Sequence, residues 1–207
     1  MMKGKVYLVG AGPGDPELIT VKGARCLSEA EVIVYDRLVD ERVLRGISPD
    51  AEMIYVGKSA DQHTLRQSEI NQLLVDKAAE GKTVVRLKGG DPFMLGRGGE
   101  EAETLVDAGI PFEVVPGVSA AVAVPAYAGI PVTHRTLASS MAVITGHEDP
   151  AKTASSIRWE KLATGVDTLV FLMGVGNVAY IAEELTKNGR PGTTPVAIIK
   201  ELSLIHI

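Results

Sequence analysis

The sequence predicts an α/β fold built from two domains with mostly parallel sheets. Short apolar runs rich in β-branched residues alternate with helical patterns, and within each run consecutive positions are apolar. Strands of that kind are buried on both faces, as they are in parallel sheets covered by helices. With 207 residues, the chain is long enough for one large domain or two small ones.

In the first half of the chain, predicted strands alternate with predicted helices. Helix Leu65–Glu80 has its apolar residues at the i, i+3, i+4 spacing of one buried face, namely Ile70, Leu73, Leu74 and Ala78. The other predicted elements here are strands Lys5–Val9, Val32–Tyr35, Met53–Val56 and Val84–Leu87, and helices Ile19–Ala30 and Gly99–Ala108.

The composition of the sequence changes around Phe112–Gly117, where we place a boundary between domains 1–114 and 115–207. The elements predicted after it are helices Val118–Gly129 and Val178–Asn188, and strands Met141–Thr145, Thr168–Met173 and Pro195–Ile199. A strand so close to the end of the sequence would lack cover. We therefore expect the second domain to be truncated at its C-terminus.

Composition and charge exclude several classes of protein. The net charge of −5 and the lack of a basic run argue against nucleic-acid binding. No apolar run approaches the roughly 18 residues of a membrane span, and the short apolar stretch at the N-terminus runs into a Gly-Pro turn. We expect a cytoplasmic protein that binds neither a membrane nor nucleic acid.

The cysteine and the histidines indicate no metal chemistry. Cys26 lies in an apolar-periodic segment and is expected to be a small buried side chain. The four histidines do not have the spacing of metal ligands, so no zinc site is expected.

The first candidate site is the loop Val9–Pro16, between a predicted strand and a predicted helix. Asp15 is placed to cap that helix, with Pro16 in its first turn. A dinucleotide fingerprint would need a third glycine where Asp15 stands, and Pro13 removes an amide donor, so a NAD site is disfavoured. A ligand-free tight turn is the alternative.

A second glycine loop, Leu87–Phe93, also follows a strand and continues into Gly96–Glu101. Two such loops predict a cleft whose exposed backbone groups could hold an adenosine or amino-acid moiety, with two structural turns as the alternative. Two further stretches, Val115–Ala121 and Gly129–Arg135, flank a helix of small side chains, which fits either a bulky ligand or close domain packing.

These stretches, in their order and spacing, resemble the tetrapyrrole methylase superfamily from Gly4 to Lys200. The matching segments are VGAGPGDPELIT, YDRLV, VGK, LKGGDPFMLGRGGEE, VVPGVSAAVAVPAYAGIPVTHR, TGH and TLVFLMG. The likeness is greatest to members that methylate carbons of uroporphyrinogen III. It implies two α/β domains, S-adenosylmethionine bound in a cleft between them without a metal, and a homodimer.

The resemblance also assigns roles to individual residues. Asp36 is implied as a proton acceptor and Lys58 as a proton donor; the alternative for Asp36 is a strand-end acid that caps the next turn. Met173 is either a cofactor contact or a core methionine. The full set of implied cofactor contacts is Pro13, Gly89, Gly90, Asp91, Met94, Ser119, Ala120 and Met173.

The carboxylates of uroporphyrinogen require cationic side chains, and arginine suits them because its guanidinium binds a carboxylate with two hydrogen bonds. We favour Lys58, Arg97 and Arg135 because they lie within the matching segments, and we assign substrate binding to Arg97 and Arg135. All the candidates at strand ends or in loops are Arg37, Lys58, Arg66, Arg86, Lys88, Arg97 and Arg135.

The implied reaction is the methylation of uroporphyrinogen III to precorrin-2 through precorrin-1, in sirohaem or cobalamin biosynthesis. The alternatives are a methyltransferase for a later precorrin, or an inactive truncated fragment that binds the cofactor. The chain departs from the family after Lys200, because the glycine expected near Leu202 is missing. We therefore expect the last part of the cofactor pocket to be absent.

Overall fold

A computed structural model of the chain describes residues 4–57, 65–148 and 155–200. The chain forms two compact units, residues 1–119 and 120–207. The break falls between Ser119 and Ala120, a little beyond the predicted limit at residue 114.

The first unit contains a five-stranded sheet in which every pair of neighbouring strands is parallel. Its strands are β1 (Lys5–Gly10), β2 (Val32–Tyr35), β3 (Glu52–Tyr55), β4 (Thr83–Lys88) and β5 (Phe112–Val115). The order across the sheet is β3-β2-β4-β1-β5. The predicted parallel α/β architecture is confirmed, whereas β5, a four-residue edge strand, was not predicted.

Helices cover both faces of this sheet. They are α1 (Val21–Ser28), α2 (Gln67–Ala79) and α3 (Gly98–Asp107). One apolar cluster joins Val6 and Leu8 of β1 to α2, and the other joins Val9 of β1 to Cys26 of α1. The predicted buried face of α2 is confirmed, and Cys26 is buried as expected.

In its described residues, the second unit contains a pair of parallel strands and three α-helices. The strands are β6 (Met141–Thr145) and β7 (Thr168–Leu172), and the helices are α4 (Ala120–Tyr127), α5 (Trp159–Gly165) and α6 (Val178–Lys187). The sequence did not predict α5, which is only seven residues long.

The predicted strand Pro195–Ile199 is wrong, because residues 193–200 form no strand. A strand needs a hydrogen-bonded neighbour, and in the described part of this unit β6 and β7 pair only with each other. The apolar side chains of Val196 and Ile198 are instead 77% and 60% exposed. Across the described ranges, no helix is long and apolar enough to cross a membrane.

Candidate active site

The predicted site residues of the first unit gather at one edge of its sheet. Because the strands are parallel, the loops that follow β1, β2, β4 and β5 all leave from the carboxyl edge, where open α/β sheets bind ligands. These loops hold Pro13, Asp36, Gly89–Asp91 and Ser119. Ala120 and Met173 belong to the second unit. Lys58 and Leu202 lie outside the described residues.

Three of these loops approach one another through glycines. The amide of Gly12 donates to the carbonyl oxygen of Gly90 at 3.2 Å, and the amide of Gly90 donates to that of Gly12 at 2.7 Å. A Cβ at Gly117 would lie 2.2 Å from the carbonyl oxygen of Gly90. The glycines are therefore needed for backbone packing. The expectation that the loops expose their backbone groups is wrong for the amides of Gly12 and Gly90.

Asp91 fastens the loop after β4 to the loop after β5. Its Oδ2 accepts a hydrogen bond from the amide of Gly117 at 3.1 Å, and its Oδ1 accepts one from the amide of Phe93 at 2.8 Å. Both carboxylate oxygens thus have backbone partners, so the position of this predicted cofactor contact is fixed.

Asp15 caps a short turn and not the helix that was predicted to follow it. Asp15 accepts a hydrogen bond from the amide of Glu17 at 2.9 Å and caps the short 3-10 turn Pro16–Leu18. Helix α1 is capped separately by Thr20, whose hydroxyl accepts from the amide of Gly23 at 3.1 Å. The single predicted helix start therefore consists of two successive caps.

Asp36 lies immediately after β2, with its side chain 23% exposed. Its Oδ2 accepts a hydrogen bond from Nη2 of Arg86 at 2.8 Å, and its Oδ1 accepts one from the amide of Leu38 at 3.0 Å. The carboxylate is therefore held in one orientation while part of its surface remains accessible.

Behind Asp36 lies a buried cluster of charges, which we call the Glu101 cluster: Arg86, Lys88 and Glu101. Their side chains are 3%, 5% and 0% exposed. Oε1 of Glu101 accepts from Nε of Arg86 at 3.0 Å and from Nζ of Lys88 at 2.9 Å. Both cations were candidates for binding substrate carboxylates, but they are paired inside the protein instead.

Lys88 is poorly solvated in this position. Burial lowers the pKa of its ammonium group, repulsion from Arg86 lowers it further, and attraction by Glu101 opposes both effects. Glu101 therefore favours the charged form of Lys88, which burial and Arg86 disfavour.

Sequence reasoning missed Glu101, although a signal was present. Glu101 precedes the buried Leu105 by four residues, so both lie on the same face of α3. Its neighbours Glu100 and Glu103 are exposed, and the three acids together resemble a solvated helix start.

The loop before α3 is strained at residues close to the predicted site. Leu95 and Arg97 have φ angles of 52° and 60°, in the left-handed region. Met173, directly after β7, has a φ of 61°, and these three are the only non-glycine residues with positive φ over the described ranges. That conformation costs roughly 1–2 kcal/mol per residue and is concentrated at functional sites.

Both predicted methionine contacts are accessible. Met94 is 41% exposed and Met173 is 59% exposed. The alternative interpretation of Met173 as a core methionine is therefore wrong.

The two predicted substrate-binding arginines are also on the surface. Arg97 pairs with Glu100 through contacts of 2.8 and 2.6 Å, and its side chain is 57% exposed. Arg135 is exposed in the segment after α4. No group of three His, Cys, Asp or Glu side chains within the described ranges could hold a metal ion.

Known proteins resemble this chain in both sequence and fold. Residues 5–205 match the family Tetrapyrrole (Corrin/Porphyrin) Methylases. The S-adenosyl-L-methionine-dependent uroporphyrinogen III methyltransferase of Methanosarcina barkeri is 59% identical, over 95% of this chain and 77% of its own. A uroporphyrinogen-III C-methyltransferase of Priestia megaterium is 55% identical, over 95% of this chain and 82% of its own.

A solved structure agrees with these relatives. The uroporphyrin-III C-methyl transferase of Thermus thermophilus, crystallised with S-adenyl homocysteine, is 48% identical and superposes with a TM-score of 0.75, over 91% of this chain and 74% of its own. The family match covers almost the whole chain, and the parallel sheet with its glycine loops agrees with it. The chain therefore belongs to the tetrapyrrole methylase family.

Proposed function

We propose that this chain transfers methyl groups from S-adenosylmethionine to carbons of uroporphyrinogen III, giving precorrin-2 through precorrin-1. The relative from M. barkeri is named for this cofactor and this substrate, and it shares 59% of the aligned residues. The observation that carries the proposal is Asp36, a fixed and partly exposed carboxylate at the carboxyl edge of the sheet.

The residues present fit a cofactor with a neutral adenosine and an amino-acid end. Most of the proposed contacts lie in the loops after β1, β4 and β5, which meet at the carboxyl edge of the sheet. Met94 and Met173 present accessible apolar side chains. We assign cofactor binding to Pro13, Gly89, Gly90, Asp91, Met94, Ser119, Ala120 and Met173.

When bound, S-adenosylmethionine supplies an electrophilic methyl group. The nucleophile is a carbon of the tetrapyrrole, so the chain needs no nucleophilic side chain of its own. Its main task is to align the two reactants, because alignment can lower the barrier by several kcal/mol. This fits a site built from fastened loops.

A proton must leave the tetrapyrrole after methylation, and Asp36 is placed to accept it. A general base needs to lie within hydrogen-bond reach of the proton that it removes. The support for Asp36 in this role is its fixed orientation, since Arg86 and the amide of Leu38 hold its two oxygens. We assign proton donation to Lys58.

The substrate carboxylates require exposed cations, and we assign this role to Arg97 and Arg135. The guanidinium of Arg97 donates hydrogen bonds from two nitrogen atoms to one carboxylate, that of Glu100. The same geometry suits a propionate or acetate group of the substrate. We expect Arg97→Ala to raise KM for the tetrapyrrole and to leave cofactor affinity unchanged, whereas Arg97→Lys recovers part of the loss.

The test is incubation of the purified chain with uroporphyrinogen III and methyl-labelled S-adenosylmethionine. The proposal predicts label in the tetrapyrrole, detected by mass as one and then two added methyl groups. Cofactor binding without transfer would identify an inactive fragment. Transfer to a later precorrin but not to uroporphyrinogen III would identify a different member of the family.

We also propose that the active form is a homodimer. The support is the implied assembly of the family to which the chain belongs. Sedimentation equilibrium is expected to give twice the 21.9 kDa mass of the chain, and a monomer at every concentration would contradict this.

A further inference from the structure

We infer that Glu101 is a positioning residue, which holds Arg86 in place and through it fixes the Asp36 carboxylate for turnover. This inference builds on the proposed role of Asp36. It adds a buried residue that is not among the site residues assigned above.

The first step is the attachment of Glu101. One oxygen, Oε1, accepts hydrogen bonds from Arg86 at 3.0 Å, from Lys88 at 2.9 Å and from Nε2 of Gln67 at 3.1 Å. The other oxygen, Oε2, is buried and has no hydrogen-bond partner within the part of the chain that the structure describes. A buried ion held through a single atom is costly to keep, which fits a role beyond packing.

The second step is the shape of Arg86. Its Nε faces Glu101 and its Nη2 faces Asp36, while Nη1 donates to the carbonyl oxygen of Leu87 at 3.0 Å. The guanidinium is a rigid plane. Fixing Nε at Glu101 therefore fixes the direction in which Nη2 reaches Asp36.

The third step is charge balance. Arg86 and Lys88 carry two positive charges, and Glu101 and Asp36 carry two negative ones, within a chain of contacts no longer than 3.0 Å. Without Glu101, both cations would compete for the one carboxylate that remains, that of Asp36. The position and charge environment of Asp36 would change together.

Over the described residues, the polar side chains beside the Glu101 cluster come from two neighbouring elements. They are Asp36 after β2, and Gln67 and Asn71 of α2. Asn71 is occupied elsewhere, since its amide donates to the carbonyl oxygen of Glu100 and to the hydroxyl of Thr104. Over the described ranges, Glu101 is therefore the anion that Arg86 and Lys88 share.

The principal test is Glu101→Gln, which keeps the size of the side chain and removes its charge. We expect kcat to fall about 10- to 100-fold, less than the loss on removing a general base outright. The Kd for S-adenosylmethionine, measured by calorimetry, is expected to stay unchanged. Glu103→Gln is the matched control, because it makes the same change at an exposed position of α3, and it should leave kcat unchanged.

A second variant guards against a simple failure to fold. The pair Lys88→Met and Glu101→Gln removes one cation together with the anion and restores the charge balance. Arg86 can then donate to the new amide oxygen without competition. We expect this pair to recover much of the kcat that Glu101→Gln loses.

Two kinetic results would overturn the inference. One is wild-type kcat in Glu101→Gln. The other is a joint fall of kcat, cofactor affinity and Tm in that variant, with no recovery of kcat in the charge-balanced pair, which would indicate a purely structural role.

A measurement without substrate separates this inference from the proposed function. The Nε–H group of Arg86 is buried and hydrogen-bonded, so it should give a protected NMR resonance in the wild-type chain. If the wild type makes no methylated product, the proposed function fails and this resonance decides the inference. Its loss in Glu101→Gln supports positioning by Glu101, and its persistence overturns it.

Discussion

Glu101 and Glu113 each bind two cationic side chains in the first unit, but in opposite surroundings. Glu101 is fully buried between Arg86 and Lys88. Glu113, on β5, binds Lys5 at 2.6 Å and also Lys22, and its side chain is 33% exposed. The residue type and the number of cationic partners are the same, whereas the access of water differs.

Access to water determines how much each glutamate contributes to stability. Around Glu113, solvent can replace a lost ion pair, so exposed pairs contribute little to stability. Around Glu101 the two cations are almost fully buried, and removal of their shared anion leaves only Asp36 to balance them in a medium of low dielectric. We therefore expect loss of Glu101 to disturb the carboxyl edge more than loss of Glu113.

The largest expected effect is that of Glu101→Ala on stability. We expect the free energy of unfolding to fall by about 3 to 5 kcal/mol, because the two buried cations, Arg86 and Lys88, are then balanced by one carboxylate, that of Asp36. Urea denaturation followed by circular dichroism measures it. Glu113→Ala is the matched control, and equal losses in the two variants would break the comparison.

A smaller loss is expected at the glycine contacts beside the same edge. Gly117→Ala would place a methyl group 2.2 Å from the carbonyl oxygen of Gly90 and 2.7 Å from Cα of Gly10. We expect this overpacking to lower the free energy of unfolding by about 1 to 3 kcal/mol, as measured by urea denaturation. Gly99→Ala points into open space in α3, and a comparable loss there would show that the close approach is not the cause.

The smallest expected effect is the acid dependence at Glu113. Hydrogen bonds from Lys22 and then Lys5 lower the pKa of Glu113 from 4.5 to about 2. A lowered carboxyl pKa stabilises the folded state at high pH, so this contribution is complete above 4.5 and is lost as the pH falls towards 2. Wild type and Glu113→Gln should therefore converge in stability at acid pH.

Salt provides the control for that prediction. Because the ion pairs of Glu113 are exposed, about 1 M salt should remove the difference between wild type and Glu113→Gln at neutral pH. A difference that persists in salt would show that Glu113 behaves like a buried group.

The fold could be predicted from sequence wherever strands are apolar and helices are periodic. Strand β2 has the predicted bounds. Strand β1 extends one residue further at its C-terminal end, and β4 extends one residue further at both ends. Strand β5 was missed because four residues between two prolines carry little periodicity. The strand at Pro195–Ile199 was wrongly predicted because composition alone cannot reveal whether a segment has a pairing partner.

The loops of the site could be predicted from the sequence, whereas the buried charges packed beneath them could not. The glycine stretches and Asp36 stand out as strand-end motifs, and the structure brings those of the first unit to one edge. The Glu101 cluster could not be predicted, because a charged side chain is usually solvated. Only the folded packing of α3 against β4 shows that this one is buried.

The most direct test of the site is the rate of methyl transfer by Asp36→Asn at saturating cofactor and uroporphyrinogen III. Asp50→Asn, an exposed change of the same kind, serves as its control. We predict that kcat of Asp36→Asn falls about 10²- to 10⁴-fold, the usual contribution of a general base, while the cofactor Kd is unchanged. A kcat equal to that of the wild type would contradict the assignment of Asp36 and of the carboxyl edge as the place of chemistry.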